Sequence, residues 1–169
     1  MVRPVLKYGA PELKKVSSPV QEFGIDLEKL VDDLKQTMYA EKGVGLAAPQ
    51  IGVNLRVIVV GVMGPDEEEE RLYLVNPEIV DSQGKEKGEE GCLSIPGFTA
   101  MVERPSHIRV RALDLDGEPV ERDAEGLLAR VICHEIDHLD GILYLDRISR
   151  LKKDLIRRKI KKLIREGEW

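Results

Sequence analysis

The stretch Cys133-His134-Glu135-Ile136-Asp137-His138-Leu139 constrains this chain more than any other, because it sets a His-Glu-x-x-His pattern inside an apolar-periodic segment. Leu127, Leu128, Val131, Ile132, Ile136 and Leu139 fall at helical spacing, which predicts a buried helix over Glu125–Leu139. On such a helix His134 and His138, four apart, stack on one face, near enough for both imidazoles to hold one metal ion. Glu135 then sits about 100° round the helix, beside that ion, where its carboxylate could take a proton from a water. Short matches to this pattern arise by chance on exposed helices. Two histidines, a glutamate and an aspartate on a buried helix, however, need partners, since unpaired buried polar groups are expensive. A metal would supply one. Two imidazoles do not close a tetrahedral site, so a third ligand has to come from elsewhere.

Cys133 points about 100° away from its neighbour His134 and cannot share a metal with both histidines on an unbroken helix. It reads as a small buried apolar residue. His107 stands alone in a strand pattern, as structural or exposed histidines do. Cys92 follows a glycine in a turn-forming stretch and can approach the helix from another direction. A thiolate with two imidazoles leaves one position open, as catalytic sites require, and the metal would hold the thiol deprotonated.

The chain of 169 residues suits one domain, and 42% hydrophobic with 34% charged residues reads as globular, not disordered. No apolar run approaches the roughly 20 residues of a membrane span, and the N-terminal segment lacks a signal-peptide core, so the cytoplasm is the default. Two cysteines exclude a disulfide scaffold. The net charge of −5 hides an asymmetry. Arg150–Trp169 carries nine basic residues against three acidic ones, a +6 end on a −11 body. That end suits an anionic partner.

A first helix is expected from Asp26, as its cap, to about Lys42, with Gly43 as a left-handed end. Gly43–Gln50 reads as a tight loop into a strand, in which Gln50 could be an ordinary surface amide. Strands are expected over Leu55–Val62 and Leu72–Val75, the latter broken by Asn76-Pro77. Ile79–Ser82 and Lys85–Glu90 read as a hairpin around Gln83-Gly84. Further strands fall at Phe98–Arg104, Ile108–Leu115 and Val120–Asp123. Ser149 caps a last amphipathic helix to about Arg165, with Leu151, Leu155, Ile156, Ile160, Leu163 and Ile164 on one face. The absence of an alternating strand–helix rhythm argues an α+β fold: mostly antiparallel strands around a central metal-bearing helix, with a C-terminal amphipathic helix. The expected organisation is residues 1–148 as the catalytic part and 149–169 as a basic helix of the same domain.

Three segments together, Gly43-Val44-Gly45-Leu46-Ala47-Ala48-Pro49-Gln50, Glu90-Gly91-Cys92-Leu93-Ser94 and His134-Glu135-Ile136-Asp137-His138, resemble in order the signature motifs of bacterial peptide deformylase. One departure stands out: Cys133 occupies the place before the first histidine where that family usually has Gln. The resemblance implies a hydrolase that removes the formyl group from N-formylmethionyl nascent peptides and releases formate. It implies one divalent metal ion per chain held by Cys92, His134 and His138, Fe2+ in the cell, on a donor set that also accepts Zn2+, Ni2+ or Co2+. By the same resemblance Glu135 serves as general base and then acid, while the Gln50 amide and the Leu93 backbone N–H hold the oxyanion. Val44, Leu93, Leu127 and Val131 are implied to line the pocket for the methionine side chain, and Gly45 and Gly91 to offer backbone groups to the peptide. Arg130 is expected at the pocket rim. Glu90 is expected to pair with Arg104, and Asp137 either to brace the site or to be a solvated charge. The basic helix is expected to dock on the ribosome, on rRNA or a ribosomal protein. Its deletion is expected to weaken that docking while sparing short peptides. No membrane partner is implied.

Two other readings compete. A zincin-like metallopeptidase would take its third ligand from downstream, where only Asp146 follows Gly141. A non-catalytic, ribosome-associated protein with a structural metal would need a fourth Cys or His, which is not well placed here, and would leave Glu135 without a role.

Overall fold

The computed structural model describes residues 1–169. The elements in chain order are α1 (Ile25–Ala40), β1 (Gly45–Ala47), β2 (Val57–Met63), β3 (Glu69–Gln83), β4 (Glu86–Cys92), β5 (Ile95–Arg104), β6 (His107–Leu113), β7 (Pro119–Glu125), α2 (Gly126–Leu139) and α3 (Arg150–Arg165). Short 3-10 turns occupy Pro11–Lys14, Ala48–Ile51 and Tyr144–Arg147. The named strands pair antiparallel throughout, in a five-stranded sheet of order β1-β2-β3-β6-β7 and a separate β4-β5 hairpin. The fold is α+β, as the patterning indicated.

Strand β2 shows why the sheet sits where it does. Its run Val57-Ile58-Val59-Val60 has no polar alternation because both faces are covered. Val57 and Val59 pack with Val75 against Leu34 and Met38 of α1. Ile58 and Val60, with Leu74, Val110 and Ala112, pack against Ile132, Ile136 and Leu139 of α2. The sheet is thus the middle of three layers, and α2 is pressed into it along its apolar side. A third cluster joins Ile95 and Val102 of β5, the Tyr144 turn and Ile160 of α3.

Several boundaries differ from the expectation. Asn76-Pro77 does not end β3. Pro77 has no N–H to give the ladder and Asn76 takes φ of 50°, so the strand bulges there and continues, moving from pairing with β2 to pairing with β6. The Asn76 amide also clips the chain at Val20, accepting its N–H at 2.8 Å and donating to its carbonyl at 3.0 Å. The expected hairpin around Gln83-Gly84 does not form. Strand β6 returns to take the place beside β3, and β4 leaves the sheet to pair with β5.

At the ends of α1, Gly24 rather than Asp26 is the cap, and Lys42 rather than Gly43 takes the left-handed position. Ser149 caps α3, its hydroxyl accepting the Lys152 N–H. The apolar face of α3 is narrower than its sequence stripe. Ile160 is fully buried and Ile156 and Leu163 are half-buried, whereas Leu151, Leu155 and Ile164 are exposed. No helix is long and apolar enough to cross a membrane.

Candidate metal centre

Helix α2 and the two-residue turn Leu93-Ser94 between β4 and β5 bring three donors together. Cys92 Sγ and ring nitrogens of His134 and His138 all lie within 4.8 Å of one another, with Sγ 3.4 Å from His138 Nε2. The imidazoles sit edge to face with centroids 5.0 Å apart, as four-residue spacing on a helix dictates. The Nδ1 of His134 is bonded to Glu90 Oε1 at 2.9 Å, which leaves its Nε2 for the centre. Cys133 is buried off this face, and burial pushes its thiol up to about 11, so it stays protonated. His107 is exposed and pairs with Glu125 at 2.7 Å, away from the donors. The donor set fits a divalent metal of borderline softness with one position left open.

Glu135 is almost fully buried beside these donors. Burial raises its pKa to about 7, and its Oε1 has no hydrogen-bond partner. An orphaned, desolvated carboxylate next to three metal donors is a proton acceptor held ready for something not made of protein.

Gln50, offered by the sequence as a surface amide, is 1% exposed. Its Oε1 accepts the Ala47 N–H at 3.0 Å, which fixes the amide orientation. Its Nε2 is thereby turned to Ser94 Oγ at 3.1 Å and Cys92 Sγ at 3.5 Å, so an N–H is aimed at the centre.

A cleft of about 490 Å³ opens onto the centre and is lined by Val44, Gly45, Gly91, Leu93, Leu127 and Val131, among others. A larger cleft of about 840 Å³ lies beyond Leu127, between the β2–β3 turn and the start of α2, and holds none of the three donors. At Gly45 a Cβ would fall 2.6 Å from Glu135 Oε2 and 2.8 Å from Val131 Cγ1. Gly45→Ala is therefore expected to displace the Glu135 carboxylate and cut turnover by about 10²-fold, a shift of roughly 1 Å sufficing for that. Metal content should be unchanged. Assay of metal-loaded variant and wild type checks this, and near-normal turnover would show the carboxylate indifferent to its seat.

Behind the donors lies a charged network that sequence reasoning saw only in part. Arg104 grips Glu90 with two bonds of 2.9 Å and Asp137 with one of 2.6 Å. Arg147 reaches the same Asp137 at 2.8 Å, so Asp137 is a buried brace and not a solvated charge. Burial would raise the pKa of Glu90, but its bonds to Arg104 and then His134 outweigh burial and hold it at about 2. Arg130, expected at the rim, turns inward instead. The bond from Glu90 to His134 had a signal in the sequence: Glu90 and Cys92 are two apart on a strand and share a face.

The family described as polypeptide deformylase matches residues 2–154 of the chain. A peptide deformylase of Acidobacterium capsulatum is 48% identical over 169 residues, covering 100% of this chain and 99% of that one. Another, of Alkalilimnicola ehrlichii, is 50% identical over 163 residues, covering 96% and 91%. The crystal structure of a peptide deformylase from Legionella pneumophila superposes with a TM-score of 0.90 at 45% identity, covering 99% of this chain and 98% of that one.

Proposed function

Because the chain belongs to the polypeptide deformylase family, metal-dependent hydrolases that remove the N-formyl group from nascent peptides, we propose that Cys92, His134 and His138 hold its metal and Glu135 moves the proton. The observation that carries this is the buried Glu135 oxygen without a partner beside the three gathered donors. A divalent ion there would supply the Lewis acidity that makes hydroxide available at neutral pH.

The chain's own groups do the rest. Glu135 accepts the proton of the attacking water and returns it to the departing amine. The Gln50 N–H and the Leu93 backbone N–H donate to the oxygen that gains charge as the formyl carbon becomes tetrahedral. Strand β1 is an edge of its sheet, so Gly45 can pair with an extended peptide, with Gly91 on the opposite wall of the cleft. Val44, Leu93, Leu127 and Val131 receive the methionine side chain. Formate and a free amino terminus leave.

The resident ion is Fe2+, and the protein acts in the cytoplasm, with residues 1–148 as the catalytic part of a single domain. Formate release from a formyl-Met tripeptide, with anaerobic ferrous and zinc reconstitutions side by side, tests the reaction and the ion. Release with neither ion would end the reading, and faster release with zinc would end the assignment of iron.

The α3 helix, with Arg158, Lys161 and Arg165 exposed, docks on the ribosome through rRNA or a ribosomal protein. Deleting residues 149–169 is a blunt test, because it would also uncover the cluster around Ile160. Reversing those three charges to Glu is expected to lower ribosome co-sedimentation by about tenfold and leave turnover of a formyl tripeptide intact. Undiminished co-sedimentation would remove the docking role.

A further inference from the structure

Strand β4, which carries Cys92, has an unusual seat. Its sequence, Glu86-Lys87-Gly88-Glu89-Glu90-Gly91-Cys92, offers no aliphatic side chain to a core, and its hairpin makes no ladder to the five-stranded sheet. The apolar anchors of the hairpin, Ile95 and Val102, belong to β5. A two-stranded hairpin is marginal by itself, so something else must hold β4 against α2.

The geometry supplies it rung by rung. On α2, Arg130, His134 and His138 are spaced i, i+4, i+8 and share one face. On β4, Gly88, Glu90 and Cys92 are spaced i, i+2, i+4 and share one face. Four residues of helix rise about 6 Å and two of strand about 6.6 Å, so the two stripes stay in step. Cys92 meets His138, Glu90 meets His134, and Gly88 meets Arg130. Of the three rungs only the last needs no metal-donor group.

Arg130 spans the hairpin. Its Nη1 donates to Glu90 Oε2 at 2.8 Å and to the Val102 carbonyl of β5 at 2.7 Å, while its Nη2 donates to the Glu86 carbonyl of β4 at 2.7 Å. A Cβ at Gly88 would lie 2.8 Å from the guanidinium carbon, so any side chain there must push the guanidinium aside. A planar fork bonding two strands at once is a task for Arg that a single ammonium does poorly.

We propose that Arg130 is a positioning residue, locking the β4–β5 hairpin onto α2 so that Cys92 is held at the two imidazoles before any metal arrives. The inference rests on the donor set assigned above. Preorganisation of this kind appears as slower metal loss and as local rigidity in the metal-free protein.

Three single variants test it. Arg130→Met keeps length and packing but removes every donor, Arg130→Lys keeps the charge, and Gly88→Ala pushes the guanidinium off from the strand side. In the metal-free protein, Arg130→Met should speed amide hydrogen exchange in residues 86–104 by about tenfold or more while β2 and β6 keep their protection. Zinc loss to a chelator should quicken about 10- to 100-fold. Arg130→Lys should recover part of both effects. Gly88→Ala should act in the same direction, and the double variant with Arg130→Met should be no worse than Arg130→Met alone.

A uniform rise in exchange, unchanged zinc loss, or additive effects in the double variant would overturn the proposal and leave Arg130 a general stabiliser. The donor reading has its own control: cobalt-loaded wild type should show a thiolate charge-transfer band that Cys92→Ala abolishes. Absence of that band in wild type would remove Cys92 from the site, and the positioning role with it. A normal band with unaltered variants would overturn the positioning role alone.

Discussion

Glu135→Gln is expected to lower formate release by about 10² to 10⁴-fold, the range that positioned acid–base groups contribute, while the variant retains its metal. The side chain is nearly isosteric, lies off the donor face and is buried, so neither metal ligation nor packing gives a reason for the loss. What changes is proton affinity. Burial has raised the carboxyl to a pKa of about 7, close to where a group that both takes and returns a proton works best, and an amide does neither. Stability should move the other way. Wild type carries a desolvated carboxylate with one unpartnered oxygen, and removing that charge should leave the melting temperature of the metal-free protein unchanged or raised. Turnover, metal content and thermal unfolding, measured together, check this. A variant retaining more than about a tenth of wild-type turnover would take the proton-transfer role from Glu135.

The donor face was legible because it is local. His134 and His138 owe their proximity to the pitch of one helix, and the apolar positions around them set which way that helix faces. Cys92 could be picked from the cysteines because Cys133 is disqualified by the same helical geometry. What the chain did not disclose depends on pairing between distant strands. The turn residues Gln83-Gly84 are compatible with a hairpin, and only the competition from β6 for the edge of β3 sends β4 elsewhere. Asn76-Pro77 has the composition of a strand end. It becomes a bulge because strands on either side of β3 hold both halves in one sheet. Gln50 and Arg130 are polar residues that pattern reasoning places at the surface. Each is buried because particular carbonyls, hydroxyls or N–H groups meet it, and no spacing rule encodes those partners. The pairing of the β4 stripe with the α2 stripe is intermediate: each stripe is visible alone, but their register is not.

That register makes Glu90 the residue whose loss should cost most to the fold. Glu90 accepts from Arg104, Arg130 and His134 at once while almost wholly buried. Glu90→Gln keeps the shape but leaves the buried Arg104 with Asp137 as its one carboxylate and the buried Arg130 with backbone carbonyls alone, and withdrawing one partner from a buried charge network costs about 3–5 kcal/mol. The same change replaces the carboxylate behind His134 with a weaker acceptor, for which a loss in metal affinity of about 10- to 100-fold is expected. Urea unfolding of the metal-free variant gives the first number and competition with a chelator the second.

The acid limb adds a check with a definite sign. The folded-state pKa of Glu90, about 2, lies below its ordinary value of 4.5. The wild-type protein therefore holds this contribution in full above the ordinary range and loses it as the pH falls toward 2. Glu90→Gln has no such group to protonate, so the stability gap between variant and wild type should be widest near neutrality and close on acidification through that window. A gap that stays constant down to pH 2 would mean that the carboxylate charge is not what binds the hairpin, the helix and the two arginines together.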